Sequence, residues 1–125
     1  MYRILVVEDD KNTHQVICEF LKEAGYAVTG AYDGDEAITL FYERCFDLVV
    51  LDIMLPKKNG MEVLQEIRTL SDIPVIMLTA LGDEYTQIKS FYLQADEYVT
   101  KSFSPIVLVK RVSALLRRSY PIDKT

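Results

Sequence analysis

Carboxylate side chains follow two strongly apolar segments of the sequence. Asp52 comes directly after the apolar run 48–51, and Glu8 and Asp9 come directly after the apolar run 4–7. Burying a carboxylate beside apolar side chains costs free energy unless a positive charge or hydrogen-bond donors compensate it. These acids are therefore the residues whose place in the sequence most needs a chemical explanation.

Two further strand-like segments are followed by polar side chains that could act together with the acids. Thr79 follows the run 75–78, and Lys101 follows the segment 97–100. In an open parallel sheet, ligands bind beyond the carboxyl ends of the strands, because those ends meet at one edge. The pattern predicts that the carboxylates, the Thr79 hydroxyl and the Lys101 ammonium group surround one site.

The chemistry expected of such a site is phosphoryl transfer assisted by a divalent cation. Crowded carboxylates repel one another unless a cation neutralises them, and Mg²⁺ prefers oxygen ligands of this kind. We expect Asp9 and Asp52 to bind Mg²⁺ directly and Glu8 to act through water. With the cation in place, Asp52 could attack phosphorus and form an aspartyl-phosphate. Lys101 and Thr79 would then donate to the phosphoryl oxygens.

The segments that must position these side chains alternate between strand and helix. Apolar runs and helical periodicity alternate five times along the chain, which is typical of a doubly wound α/β domain with a mostly parallel sheet. We predict a first helix at about 12–24, followed by Gly25 as a left-handed cap. Its apolar stripe is predicted to contain Val16, Ile17, Phe20, Leu21 and Ala24. The last helix is expected to begin at Ser104 and Pro105.

Composition favours a single cytoplasmic domain. The chain has 125 residues, of which 50% are hydrophobic, and this is enough for one compact core. No apolar stretch approaches the ~20 residues of a membrane helix, so we expect no membrane association. The formal charge of -5 argues against direct nucleic-acid binding by this domain. We predict a domain at 1–118 and the start of a linker at 119–125.

Four other polar residues are given structural or supporting roles. Cys18 and Cys45 lie in apolar helical patterns and are predicted to be reduced core residues, since two cysteines make neither a disulfide framework nor a metal site. His14, the only histidine, is predicted to be a solvated residue of the first helix. Asp10 is either a first-turn acid of that helix or a support for the neighbouring acids.

The motifs at the strand ends, taken in order, are those of a known family. They are 7–10 (Val-Glu-Asp-Asp), 50–56 (Val-Leu-Asp-Ile-Met-Leu-Pro), Gly60, 77–80 (Met-Leu-Thr-Ala) and 98–101 (Tyr-Val-Thr-Lys). With these motifs at these spacings, nearly the whole chain resembles the receiver domains of two-component response regulators. The resemblance implies a flavodoxin-like fold in which five parallel strands have the order 2-1-3-4-5, with helices on both faces.

The resemblance also implies roles for residues at the strand ends. Asp52 would accept a phosphoryl group from a histidine kinase. Mg²⁺ would be held by Asp9, Asp52 and the Met54 carbonyl oxygen, with Glu8 acting through water. Such a domain is a phosphoacceptor that catalyses its own phosphorylation and dephosphorylation, and it is not a turnover enzyme.

Thr79 and Tyr98 match the switch pair of the family. In that mechanism the hydroxyl moves toward the phosphoryl group and the aromatic ring turns inward, which reshapes the face made by the fourth helix, fifth strand and fifth helix. That face is implied to bind the output domain or a second copy of the chain. Its predicted residues are Ile88, Phe91, Asp96, Glu97 and Arg111. The C-terminal stretch most resembles the subclass whose receiver precedes a winged-helix DNA-binding domain, which implies transcription regulation.

Two residues depart from the pattern of the family. Ser102 follows Lys101 where the family usually has proline after a cis peptide bond. A cis bond before a non-proline residue costs ~3 kcal/mol, so the loop either keeps a strained peptide or becomes trans. Gln94 replaces a common glycine, so the turn there is either strained or rebuilt.

Three other functions are compatible with parts of the pattern. The chain could be a receiver-like interaction module that works without phosphorylation. A phosphatase of the haloacid dehalogenase type also forms an aspartyl-phosphate, but it carries a second Asp two residues after the nucleophile, where this chain has Met54. A flavodoxin-like cofactor-binding module shares the expected strand order, but the acids after the first strand would repel a phosphate group.

Overall fold

The computed structural model of the chain describes residues 1–79, 94–101 and 103–121. Its strands are β1 (Arg3–Val7), β2 (Ala27–Ala31), β3 (Leu48–Asp52), β4 (Val75–Thr79) and β5 (Glu97–Thr100). All neighbours are parallel and form one sheet in the order β2-β1-β3-β4-β5, which confirms the predicted order. In the part of the chain so described, no helix combines the length and apolar character needed to cross a bilayer.

The strands are aligned so that their carboxyl ends lie along one edge of the sheet. Successive register partners across the sheet are Ala31, Val7, Leu51, Met77 and Tyr98. The residues that directly follow these register partners in the chain therefore lie next to one another at the carboxyl edge of the sheet. This register is what allows side chains from distant parts of the sequence to meet.

Four helices connect or follow these strands within the described residues. They are α1 (Lys11–Glu23), α2 (Gly34–Glu43), α3 (Gly60–Leu70) and a C-terminal helix (Pro105–Ser119). Side-chain oxygens of Asp10, Asp33 and Asn59 cap the first three helices by accepting hydrogen bonds from backbone N–H groups three residues later. Ser104 precedes the C-terminal helix without a side-chain cap bond, and Pro105 occupies its first turn.

Helices cover both faces of the sheet, as predicted for a doubly wound fold. On one face, α1 and the C-terminal helix pack against alternate strand residues such as Ile4 and Val50. On the other face, α2 and α3 pack against the intervening residues of the same strands, such as Leu5 and Val49. Successive side chains of a strand point to opposite faces, so a sheet covered on both sides needs the continuous apolar runs of β1, β3 and β4.

The buried side of α1 differs from the predicted apolar stripe. Its buried residues are His14, Ile17 and Leu21, whereas Val16 is 38% exposed and Ala24 is also exposed. Residues three and seven positions apart lie on one side of a helix, so a stripe that begins at His14 leaves Val16 toward solvent. The prediction of a solvated His14 is therefore wrong.

Turns and loops bear on the remaining local predictions. Gly25 has a φ of 97°, so the predicted left-handed cap is confirmed. Among the non-glycine residues that the structure describes, only Lys57 has a positive φ. The turn that leads into Gln94 begins outside those residues, so its conformation stays a prediction. Cys18 is half-buried, but Cys45 is exposed because it lies in the connection between α2 and β3. The prediction of a core position is wrong for Cys45.

Tyrosine side chains connect the end of the C-terminal helix to the edge of the sheet at which the strands begin. The Tyr120 hydroxyl donates to the Asp47 carbonyl oxygen at 2.8 Å. The Tyr2 ring lies 5.8 Å from the Tyr120 ring and 6.4 Å from the Tyr26 ring, measured between centroids. The folded unit therefore extends to Tyr120, past the predicted boundary at residue 118.

Candidate functional site

Polar residues at the strand ends lie together at the carboxyl edge of the sheet. Glu8 follows β1 and Lys101 follows β5, whereas Asp52 and Thr79 are the last residues of β3 and β4. Glu8 is 0% exposed, and Asp52 and Thr79 are each 1% exposed. Three polar side chains are thus buried at positions where the apolar strands end.

The Lys101 ammonium group lies between two buried carboxylates. Its Nζ is 2.9 Å from Asp52 Oδ2 and 3.0 Å from Glu8 Oε1. The backbone N–H of Lys101 donates to the Thr79 carbonyl oxygen at 2.7 Å. This bond continues the pairing of β4 with β5. Lys101 therefore reaches Asp52 although Ser102 replaces the usual proline. The Lys101–Ser102 peptide bond itself lies outside the described residues.

Burial and crowding change the proton affinities of these groups. Burial raises the pKa of the Glu8 carboxyl from 4.5 to about 7; the Asp10 N–H opposes the increase, and the Asp52 carboxylate adds to it. Partial burial by itself lowers the pKa of Lys101, but hydrogen bonds to Asp52 and Glu8 outweigh this effect and leave that pKa above its ordinary value. The Asp10 N–H and the Lys101 ammonium group therefore do not fully offset the cost of burying an ionised Glu8 carboxylate beside Asp52.

Three carboxylates are close enough to hold a metal ion together. Glu8, Asp9 and Asp52, which we call the acidic cluster, offer oxygen atoms within 4.8 Å of one another, and Asp9 is exposed while the others are buried. Lys101 supplies one positive charge to this cluster, so negative charge remains when all three acids are ionised. An all-oxygen donor set with excess negative charge fits Mg²⁺, and a cation could enter on the side of Asp9.

The loop after β3 is held close to Asp52. The Met54 N–H donates to Asp52 Oδ1 at 3.2 Å, and the Gly60 N–H donates to the Ile53 carbonyl oxygen at 2.8 Å. A Cβ at Gly60 would lie 2.3 Å from the Asp52 carbonyl oxygen, so a side chain there would displace the loop. The Met54 backbone therefore lies beside the carboxylate, where a carbonyl ligand for Mg²⁺ is predicted.

The predicted switch residues lie on adjacent strands. The Thr79 hydroxyl is buried and has no hydrogen-bond partner among the residues described. A buried hydroxyl without a partner costs about 1–3 kcal/mol, so a new acceptor such as a phosphoryl oxygen would stabilise it. Tyr98 is half-buried in β5 and packs against the apolar cluster under α2 and α3. Their movement as a pair stays a prediction.

Charged residues predicted on the output face form pairs within the domain. Arg111 of the C-terminal helix forms an ion pair with Glu97 of β5. Asp96 accepts a hydrogen bond from Arg68 of α3 at 3.1 Å, so it faces the body of the domain. The two remaining residues predicted for this face, Ile88 and Phe91, lie outside the described residues. The binding role of this face stays a prediction.

Asp10 supports Glu8, and it is the N-cap residue of α1 and not an acid of the first turn. Its side chain caps α1 by accepting from the Thr13 N–H at 2.9 Å. Its own N–H donates to Glu8 Oε2 at 3.1 Å. The start of α1 and the orientation of the Glu8 carboxylate are therefore linked through one residue.

Two residues beside the acidic cluster are not found by the sequence reasoning. His14 Nδ1 lies 2.8 Å from the Glu8 carbonyl oxygen, and the rings of His14 and Tyr32 stack with centroids 3.9 Å apart. The available signal was the spacing of His14 with Ile17 and Leu21, which places all three on one helix face. Nothing local in the sequence marks Tyr32, because its contact depends on the turn after β2.

Known proteins similar to this chain are response regulators. The model of the response regulator receiver domain family matches residues 4–113. Regulatory protein VanRB of Enterococcus faecalis is 52% identical over 122 residues, which cover 98% of this chain and 56% of that protein. Response regulator RR06 of Streptococcus pneumoniae is 51% identical over 120 residues, which cover 96% of this chain and 55% of that protein. The chain thus spans about half the length of these curated relatives.

A solved structure of a response regulator has the same fold. Response regulator protein TrrA from Thermotoga maritima, solved in complex with Mg(2+)-BeF, superimposes with a TM-score of 0.83 at 40% identity. The match covers 92% of this chain and 99% of that chain. Together with the family match over residues 4–113, this establishes that the chain belongs to the family of response regulator receiver domains.

Proposed function

We propose that Asp52 accepts a phosphoryl group from the phosphohistidine of a cognate histidine kinase. The observation that carries the proposal is the setting of the Asp52 carboxylate. It is buried at a strand end, lies 2.9 Å from the Lys101 ammonium group and belongs to the acidic cluster. A carboxylate nucleophile, a cation site and a positively charged donor are the parts that phosphoryl transfer requires.

In the proposed reaction, an Asp52 oxygen forms a bond to phosphorus while the bond from phosphorus to the donor nitrogen breaks. The electron pair of that bond remains on the donor imidazole. Mg²⁺ bound by the acidic cluster and the Met54 carbonyl oxygen would offset the negative charge of the phosphoryl group. Lys101 donates to one phosphoryl oxygen and the Thr79 hydroxyl donates to another, so both groups stabilise the developing charge.

The domain is proposed to catalyse its own phosphorylation and dephosphorylation without being a turnover enzyme. A phosphatase that uses an aspartyl-phosphate needs an acid close to its nucleophile, and the equivalent position here is Met54. The Met54 side chain is 67% exposed and has no acidic group. Position 54 therefore offers no general acid of the kind that such a phosphatase uses for turnover.

Intact-mass analysis after incubation with acetyl phosphate and Mg²⁺ tests the acceptor. Wild type should gain one phosphoryl group and Asp52→Asn should gain none. Asp72→Asn makes the same chemical change at an exposed position and should behave like wild type. An unmodified wild type would favour an interaction module that works without phosphorylation. A gain that persists in Asp52→Asn would place the acceptor elsewhere.

We also propose that Thr79 and Tyr98 transmit phosphorylation to the face that carries Glu97 and Arg111. VanRB and RR06 are named regulatory protein and response regulator, and this chain covers 56% and 55% of them. Their greater length supports a full-length protein in which the receiver, predicted at 1–118 and packed as far as Tyr120, is followed by a further domain. We propose that this further domain binds DNA and regulates transcription.

We also propose that the phosphorylated domain dimerises weakly through the same face, and sedimentation velocity can test this. The phosphorylated wild type should form only a weak dimer. Arg111→Ala should weaken that dimer further, because it removes a positive charge from this face and leaves Glu97 without its ion-pair partner within the domain. Arg44→Ala, which removes an exposed arginine after α2, is the matched control and should leave the dimer unchanged. A monomeric phosphorylated wild type would contradict this proposal.

A further inference from the structure

The His14 imidazole is enclosed on the side of the sheet that carries α1. It is 4% exposed, and its Nδ1 lies 2.8 Å from the Glu8 carbonyl oxygen. A carbonyl oxygen can only accept a hydrogen bond, so Nδ1 carries the hydrogen and donates it. The contact therefore requires an Nδ1–H group and not merely a ring of the right size.

Strand β2 and the turn after it hold this ring in place. A Cβ at Gly30 would lie 2.2 Å from His14 Nε2, so the ring occupies the space that any other residue at this position would fill. The Tyr32 ring stacks on the imidazole at a centroid distance of 3.9 Å and an interplanar angle of 9°. The Tyr32 N–H donates to Glu36 Oε1 at 2.7 Å, which ties the stacked ring to the first turn of α2.

Glu8 is thereby held at its backbone as well as at its carboxylate. Its N–H donates to the Ala31 carbonyl oxygen at 3.1 Å, which is the last bond between β1 and the end of β2. Its carbonyl oxygen accepts from His14, while its carboxylate contacts the Asp10 N–H and Lys101. The direction of the chain between β1 and α1 is set by these contacts.

We propose that His14 is a positioning residue for the acidic cluster. Its Nδ1–H bond fixes the orientation of the Glu8 peptide. That orientation in turn determines how the Glu8 and Asp9 carboxylates face a divalent cation. This inference rests on the proposed function of that cluster. His14 touches neither phosphorus nor the cation, so it acts only through Glu8. Groups that orient metal ligands in this way typically contribute tenfold or more to metal affinity.

Two substitutions separate the hydrogen bond from the packing of the ring. His14→Phe keeps a ring that can stack on Tyr32 but has no donor, whereas His14→Asn keeps an N–H group close to the position of Nδ1 but has no ring. Titration calorimetry with Mg²⁺ should show an affinity about tenfold lower for His14→Phe and close to wild type for His14→Asn. The opposite order, or equal affinities for wild type and His14→Phe, would overturn the inference. Thermal unfolding of each variant establishes that it is folded.

Gly30→Ala supplies an independent route to the same result. The added methyl group must displace the imidazole, so this variant should lose Mg²⁺ affinity to about the extent of His14→Phe. In a His14→Ala background, Gly30→Ala should cause no further loss, because the ring that it displaces is already absent. Additive losses would show that Gly30 acts through something other than His14.

A spectroscopic measurement does not depend on the metal. In the metal-free protein, ¹⁵N NMR of the imidazole should show a protonated Nδ1, and a proton on Nε2 alone would contradict the hydrogen bond to Glu8. A wild type that neither binds Mg²⁺ nor accepts a phosphoryl group would contradict the proposed function. A wild type that does both, alongside an unchanged His14→Phe, would contradict only the role of His14.

Discussion

Glu8 is the residue at which burial and charge conflict most directly. Its carboxyl group is fully buried beside Asp52, and burial raises its pKa to about 7. A cation beside Glu8, which acts on it through water, favours the ionised carboxylate, so Mg²⁺ binding near neutral pH should release a proton from this group. The affinity of the acidic cluster for Mg²⁺ should therefore fall as the pH decreases through about 7.

Glu8→Gln should change the pH dependence of stability in the metal-free protein. Between pH 4.5 and about 7 only the folded protein holds the Glu8 proton, so the free energy of unfolding falls as the pH rises through this window. The contribution of this group is at most about 3 kcal/mol. Chemical denaturation in EDTA should show a smaller fall for Glu8→Gln than for wild type.

Glu23→Gln is the matched control for this measurement. Glu23 is exposed at the end of α1, so this variant should follow the wild-type curve. Parallel curves for wild type and Glu8→Gln would contradict the raised pKa of Glu8.

Lys101→Met should weaken both the fold and phosphoryl transfer. It leaves the Asp52 and Glu8 carboxylates buried without their ammonium partner, and partial exposure of Lys101 limits the loss of unfolding free energy to about 1–2 kcal/mol. Loss of a donor to the phosphoryl group should slow phosphorylation by about 10²–10³. Denaturation in EDTA and the rate of mass gain with acetyl phosphate measure the two effects. Lys110→Met, at an exposed position, should change neither.

At the scale of elements, the loop between β3 and α3 determines how closely the backbone approaches Asp52. Gly60 begins α3 directly against the Asp52 carbonyl oxygen, and the Asn59 and Glu62 side chains form a capping box around that helix start. The capping box fixes where α3 begins, and the absence of a side chain at Gly60 lets it begin there. The Met54 backbone is held beside Asp52 by the same arrangement.

Gly60→Ala should therefore destabilise the domain although alanine is the better helix former. The added Cβ would lie 2.3 Å from the Asp52 carbonyl oxygen, and relief of that overlap should cost about 1–3 kcal/mol of unfolding free energy. Helix propensity alone would give the opposite sign, a gain of roughly 0.5–1 kcal/mol. Urea denaturation distinguishes the two, and a more stable variant would contradict the close approach seen here.

The strands and the meeting of Asp52 with Lys101 could be predicted from the sequence because each depends on a short pattern. Apolar runs mark strands, and parallel strands must bring their ends to one edge. The face of α1 could not be predicted with equal success, because the stripe containing Val16 and the stripe containing His14 differ only in how α1 is rotated against β1 and β2. That rotation is set by the space at Gly30, which is a contact between elements and not a local pattern.

At the scale of the whole molecule, the sheet separates two apolar layers, and none of the residues that the structure describes belongs to both. One layer lies under α1 and the C-terminal helix, and the other lies under α2 and α3. The acidic cluster lies at the edge that both layers border. Small domains unfold as one unit, so a packing defect in either layer should lower the stability of the whole domain without a direct contact to the acids.

Leu64→Ala and Leu70→Ala make the same change in the same helix at different depths. Leu64 is 2% exposed, whereas Leu70 is 48% exposed. Leu64→Ala should lower the unfolding free energy by about 2–5 kcal/mol, and Leu70→Ala by less than about 1 kcal/mol. Denaturation curves give both values. Phosphorylation of the folded fraction should be unchanged in both, and equal destabilisation would contradict the assignment of Leu64 to the core.

The contact between Tyr2 and Tyr120 brings the first strand and the end of the C-terminal helix close together. Their ring centroids are 5.8 Å apart, so a short peptide could join the two ends into a ring. The exposed connection around Cys45, between α2 and β3, would then be a suitable place to open new termini without cutting a strand. The order in which the strands are synthesised could thus be permuted, while their order in the sheet is retained.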